Sequence, residues 1–239
     1  MTVVSKLVLE NPDAVALAAA QNLVDELASL QQARQQIHIC LTGGTVGILT
    51  LKKIATLDQS KVDWERVHVW WGDERFVPSG SPDRNALQAR EAWLNSSSVP
   101  AANIHEFPAA DELDLEHGAK AFDAQLYEFW SELPKFDIVL LGVGPDGHVA
   151  SLFPGHEQVI PGTFTVMESD SPKPPPQRLS LSFEILNNAD QVWFTVAGAD
   201  KAEAVAAAFS LGSTLPVARV KSANNLWFLD RDAASKLTD

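Results

Sequence analysis

His148 stands two residues after Asp146 in the run Gly142-Val143-Gly144-Pro145-Asp146-Gly147-His148. A carboxylate that holds one imidazole nitrogen leaves the other free to take a proton from water near neutral pH, which is what general-base hydrolysis requires. A second polar cluster, Asp73-Glu74-Arg75, follows the run Val67-His68-Val69-Trp70-Trp71. It reads either as a solvated charge cluster or as part of a site, and its place directly after a strand favours the site. The turn Thr42-Gly43-Gly44-Thr45-Val46-Gly47 can seat a single phosphate on backbone amides and the Thr42 and Thr45 hydroxyls, although glycines in such turns also serve backbone geometry alone. Arg178 and Lys201, one after a proline-stiffened loop and one at a helix start, are candidates for a phosphate clamp.

These residues need a frame that brings them together. A helix is predicted from about Asp13 to Leu30, where Val15, Leu17, Ala18, Leu23, Val24 and Leu27 recur at helical spacing after the start signal Asn11-Pro12-Asp13. Strands are predicted at Ile37 to Leu41, Val67 to Trp71, Phe136 to Leu141, Gln191 to Val196 and Leu226 to Leu229. Helices are predicted at Ile48 to Ile54, Arg84 to Leu94, Leu113 to Trp130 and from Asp200-Lys201 onward. Past Pro161, the stretch Ser169 to Gln177 carries four prolines and is expected to be an extended loop that delivers Arg178 to the next strand. Alternation of strands and helices points to an α/β fold with one mainly parallel sheet, covered by helices on both faces. In such sheets ligands bind beyond the carboxyl ends of the strands, where the three polar turns fall. No repeat and no boundary divides the chain, so residues 1–239 are expected to form a single domain.

Composition narrows the function. The formal charge is −13, which leaves little electrostatic reason to approach nucleic acid or an anionic membrane. The N-terminal segment lacks a basic start before a long apolar stretch, and no segment approaches the roughly 18 apolar residues of a membrane span, so a cytoplasmic address is expected. Cys40 is the single cysteine and ends an apolar run, as a core residue does. His38, His68, His105, His117 and His156 are read as structural, since an isolated histidine usually is.

Several chemistries are set aside. The glycines at 142, 144 and 147 match the dinucleotide pattern, with Glu168 about where a ribose-binding acid would lie. Pro154, however, follows seven residues after Gly147 and leaves no room for a proper helix. There is no Gly-x-Ser-x-Gly elbow. Neither His105-Glu106 nor His156-Glu157 has a second histidine where a zinc-protease helix would place it. No catalytic metal is required by these residues.

Four stretches resemble the 6-phosphogluconolactonase family in the same order. They are Leu41-Thr42-Gly43-Gly44-Thr45, the run from Trp71 through Arg75 to Pro78 with Asn85 after it, the run from Leu141 through His148 and Ser151 to Pro154, and Pro174-Pro175-Pro176-Gln177-Arg178-Leu179-Ser180. The resemblance implies one α/β domain of modified Rossmann-like topology, related to the glucosamine-6-phosphate deaminase and isomerase group. The implied substrate is a small phosphorylated sugar lactone, opened without a cofactor by a monomer or weak homodimer. It implies that His148 activates water, that Asp146 orients it and that Arg75 stabilises the tetrahedral carbon's charge. It further implies that Gly43, Gly44, Thr45, Arg178 and Lys201 hold the phosphate, with Asp73 also among the substrate-binding residues. The first turn departs from the family's more usual Ser-Gly-Gly-Ser-Thr-Pro, with Gly47 in place of Pro, which leaves the helix start less fixed. Two other readings remain: a glucosamine-6-phosphate deaminase or isomerase, which would carry Asn-Glu-Pro where this chain has Ser151-Leu152-Phe153-Pro154, and a non-catalytic sugar-phosphate sensor.

Overall fold

The computed structural model describes residues 2–111, 113–156 and 163–237, so Glu157 and Pro161 lie outside it. The helix α1 (Pro12–Leu30) begins where Asn11 Oδ1 accepts a hydrogen bond from Ala14 N at 2.9 Å, with Pro12 as its first residue. Asparagine satisfies a free amide there and proline needs none. One stripe of α1, from Val15 and Ala19 to Leu23 and Leu27, is fully buried. The strand β2 (Ile37–Leu41) then leads into α2 (Gly44–Ile54), which starts four residues earlier than the expected Ile48 and takes Gly47 into its first turn. Next come β3 (Val67–Trp71), β4 (Asp73–Arg75), α3 (Asn85–Ala92), α4 (Leu115–Phe129) and β5 (Ile138–Leu141). The second half adds β6 (Thr165–Glu168), β7 (Arg178–Leu181), α5 (Phe183–Asn188), β8 (Gln191–Val196), α6 (Ala202–Ala208), α7 (Pro216–Arg219) and β9 (Asn224–Asp230).

Six strands form an all-parallel sheet in the order β1-β9-β8-β5-β2-β3, where β1 is the strand Val3–Leu9. Every residue of β3 and β5 is buried, as both faces of a parallel sheet must be when helices cover them. The parallel, helix-flanked architecture is therefore the expected one. A second sheet and an edge strand go beyond it. A separate antiparallel sheet, β4-β7-β6, joins the polar turn after β3 to the segment after the proline loop. The edge strand β1 is the other: its residues are almost all exposed and, among the described residues, it pairs with β9 alone.

The histidines read as structural occupy structural positions. His38 on β2 lies opposite His68 on β3, their rings stacked at 4.7 Å, and His68 Nδ1 is 3.0 Å from His105 Nε2. Trp70 Nε1 donates to His38 Nδ1 at 3.2 Å, and the rings of Phe129 and Trp130 close over the group. His117 pairs with Asp114 at the start of α4, and His156 Nδ1 sits 2.6 Å from Glu168 Oε2. Glu168, which the dinucleotide pattern would give to a ribose, is thus bound into the second sheet. Cys40 is fully buried in the core, as expected.

Burial, reinforced by mutual repulsion, drops His38 to about 3 and His105 to about 4. Both groups are neutral in the fold between those values and 6.5, while their unfolded counterparts bind protons in that window. Stability therefore falls as pH drops below 6.5 and is flat with respect to them above it, with a slope of at most about 1.4 kcal/mol per pH unit for each histidine. Urea unfolding at pH 7 and pH 5 should show a smaller loss for His38→Gln than for the unaltered chain. An equal loss would mean that His38 is not held neutral.

Candidate active site

Four neighbouring strands, β8-β5-β2-β3, end at the same edge of the parallel sheet. Their loops line one cavity of about 560 Å³, a size that suits a small metabolite. From β2 the chain moves outward to β3, whereas β5 adds on the other side of β2 and leads to β8. A crevice opens where connections diverge in this way. The loop after β2 brings Thr42, Gly43 and Gly44 to one wall, and the loop after β5 brings Gly144 and His148 to the other.

His148 is aimed by its own turn. Its Nδ1 lies 2.5 Å from Asp146 Oδ1, and the turn closes through Gly144 N to His148 O and Gly147 N to Gly144 O, both at 2.9 Å. A Cβ at Gly144 would fall 2.0 Å from His148 Nδ1 and 2.5 Å from Asp146 Oδ1, so only glycine lets the pair fold back over the turn. With Nδ1–H donated to the carboxylate, Nε2 carries the free lone pair. Burial holds His148 below the usual histidine range; Asp146 pulls the other way, and Lys173 adds to the lowering. Asp146 itself is raised by burial, but the hydrogen bond from His148 and the charges of His148 and Lys173 outweigh that and leave it below the usual carboxylate range. A neutral imidazole beside an ionised carboxylate is the form a general base needs.

The second sheet also faces the cavity. Arg75 on β4 pairs in register with Arg178 on β7, and Asp73 with Ser180. Asp73 is buried, and its Oδ2 accepts a hydrogen bond of 2.6 Å from Ser151 Oγ. Arg75 Nη1 donates to Asp83 O at 2.6 Å, while its Nε is buried with no partner among the described residues. Glu74 does not join them. It turns inward and accepts from the backbone amides of Arg75, Asn85 and Ala86, which fixes the start of α3. Burial pushes it up to about 7, against the opposing pull of Arg84 and those three amides.

Gly43, Gly44, Thr45, Asp73, Arg75, His148, Arg178 and Lys201 all line the one cavity, with Asp146 behind His148. Two of the cations are more committed than the sequence suggested. Arg178 donates to the carbonyls of Lys173, Pro174 and Pro175 at 3.1, 3.4 and 3.3 Å, so it braces the proline turn as well as facing the cavity. Lys201 Nζ lies 2.6 Å from Asp200 Oδ2 in a short turn before α6. Asn85 and Lys173 also line the cavity but received no role from the sequence. A Cβ at Gly43 would meet Asn85 Oδ1 at 1.9 Å, so the glycine turn sits directly on the Asn85 amide. The signal for Lys173 was its position as the only cation in the stiff four-proline stretch. Among the described residues, no three His, Cys, Asp or Glu side chains converge as a metal site would require, and no helix is long and apolar enough to cross a membrane.

Known proteins resemble the chain over nearly its full length. A 6-phosphogluconolactonase of Mycobacterium tuberculosis is 40% identical over 242 residues, covering 96% of this chain and 97% of that protein. The Streptomyces coelicolor 6-phosphogluconolactonase is also 40% identical, covering 97% and 94%. The solved 6-phosphogluconolactonase of Trypanosoma brucei, 25% identical, superposes with a TM-score of 0.86 over the whole of both chains. The family described as glucosamine-6-phosphate isomerases and 6-phosphogluconolactonases matches residues 10–228. The chain therefore belongs to that family.

Proposed function

We propose that this protein hydrolyses 6-phospho-D-glucono-1,5-lactone to 6-phospho-D-gluconate, the second step of the oxidative pentose phosphate pathway. The observation that carries the reading is His148, held by Asp146 at 2.5 Å in a cavity that four cations also line. Membership of the family, and relatives of that name at 40% identity, support the substrate.

In this reading His148 Nε2 accepts a proton from water as the oxygen attacks the lactone carbonyl. Negative charge passes to the carbonyl oxygen, where Arg75 stabilises it. The tetrahedral centre then collapses, the ring C–O bond breaks, and the leaving ring oxygen takes back the proton from His148. The acid formed loses its own proton to solvent, which balances the reaction. Gly43, Gly44 and Thr45 at the start of α2 receive the phosphate, with Arg178 and Lys201 beside it. Asp73, fixed by Ser151, faces the sugar. Holding the phosphate far from the carbonyl sets the ring against the base, which is catalysis by positioning. We take residues 1–239 as one working domain, acting in the cytoplasm as a monomer or weak homodimer without nucleic acid or membrane; the acidic balance of the chain supports the last two points.

The test generates the lactone in place from glucose 6-phosphate with its dehydrogenase and follows its conversion through 6-phosphogluconate dehydrogenase. The protein should accelerate that conversion over the spontaneous rate. Ammonia release from glucosamine 6-phosphate, or tight binding without turnover, would replace this reading with the deaminase or the sensor. His148→Ala should lower kcat by about 100-fold or more while 6-phosphogluconate still binds, as titration calorimetry would show. Arg178→Ala should raise KM more than it lowers kcat. Because burial depresses His148, kcat/KM should be level near neutral pH and fall in acid with a midpoint below 6.5. A midpoint above that value would remove His148 as the base.

A further inference from the structure

Lys173 is the one cavity-lining cation that the catalytic reading leaves without a role. Its backbone is fixed from both sides. Ser171 Oγ accepts from Lys173 N at 3.3 Å and donates to Lys173 O at 3.0 Å, and Arg178 Nη2 donates to the same carbonyl at 3.1 Å. Ser171 N reaches across to Pro176 O at 3.0 Å and closes the turn. The side chain leaves this brace at the cavity wall, and its Nζ lies 3.9 Å from Asp146 Oδ1, the same oxygen that meets His148 Nδ1 at 2.5 Å. The other cations are differently engaged: Lys201 with Asp200, Arg75 with the Asp83 carbonyl, Arg178 with the proline turn.

We propose that Lys173 belongs to the reacting end of the site, where the proline turn holds its ammonium against the Asp146–His148 pair so that it opposes protonation of the imidazole and supplies positive charge to the oxygen that becomes an anion. The second half of this role rests on the lactonase reading; the first does not. The groups facing His148 are Asp146 from its own turn, Asp73 from β4 and Lys173 from the proline turn, with the ring of Phe153 at 4.6 Å. Lys173 in turn faces Asp146, Lys201, Arg178 and Asp200. Both aspartates nearest His148 favour the imidazolium, and Lys173 is the positive charge that opposes them. Arg178 thereby acquires a second task, since its guanidinium holds the backbone from which Lys173 reaches in.

Two measurements test this on the full chain. The first follows the His148 ring proton by NMR as pH is varied without substrate, with His148→Ala to assign the signal. Lys173→Met should raise the midpoint by about half a pH unit, and Lys173→Arg should return it. The second is the pH profile of lactone hydrolysis, in which Lys173→Met should move the acid limb upward by a similar amount and lower kcat about 10-fold, with recovery in Lys173→Arg. A ring titration that does not move in Lys173→Met overturns the proposal. So does a variant with unchanged kcat and acid limb but a raised KM, which would make Lys173 a phosphate ligand. If the unaltered protein fails to hydrolyse the lactone, the functional reading falls, and the ring titration still decides whether Lys173 governs His148.

Discussion

Ser151 Oγ donates a 2.6 Å hydrogen bond to the buried carboxylate of Asp73, and the geometry of the cavity depends on it. Ser151 comes three residues after His148 on the loop beyond β5, whereas Asp73 opens β4 in the other sheet. Ser151 N also donates to Ser180 Oγ at 3.3 Å, on β7, two residues after Arg178. One buried serine thus fastens three segments: the one that carries His148, the one that carries Arg75 and the one that carries Arg178. A hydrogen bond to a charged group contributes about 1.5–3 kcal/mol, and removing the donor would leave a buried carboxylate short of a partner. That asymmetry makes the arrangement hard to alter piecemeal.

The electrostatics invert between surface and site. The chain carries 31 acidic and 18 basic residues, yet Arg75, Lys173, Arg178 and Lys201 face a single crevice. Cations gathered in a cleft focus their field there, which favours an anion locally despite the overall negative charge. Asp73, Asp146 and Asp200 temper the cluster and keep four cations compatible in a confined space.

The parallel sheet was legible in the sequence because its strands are buried on both faces and so appear as short apolar runs such as Ile138 to Leu141. The small antiparallel sheet was not, because β4 consists of Asp73, Glu74 and Arg75 and its pairing with β7 is set by tertiary contact. The strand β1 was missed for a related reason: its residues Val3, Val4, Leu7 and Val8 stay exposed and follow no clean alternation. Of the site, His148, Asp146 and the glycine turn could be read from residue type and spacing. Ser151 could not, and Lys173 showed only as the cation of the proline stretch, because their contacts at 2.6 and 3.9 Å are to residues far away in the chain. Glu74 illustrates the converse: its type suggested the site, but its three backbone donors make it a cap for α3.

The strand β1 has a consequence for the order of assembly. Its pairing partner is β9, with Val3 opposite Asn224, so the chain as far as β9 must be synthesised before β1 can dock. Until then its apolar residues remain open to other strands, and closing so long a loop is entropically slow. The central strands around the crevice precede β9 in the chain, so β1 stays an unpaired apolar edge until β9 arrives, and such an edge invites misassembly.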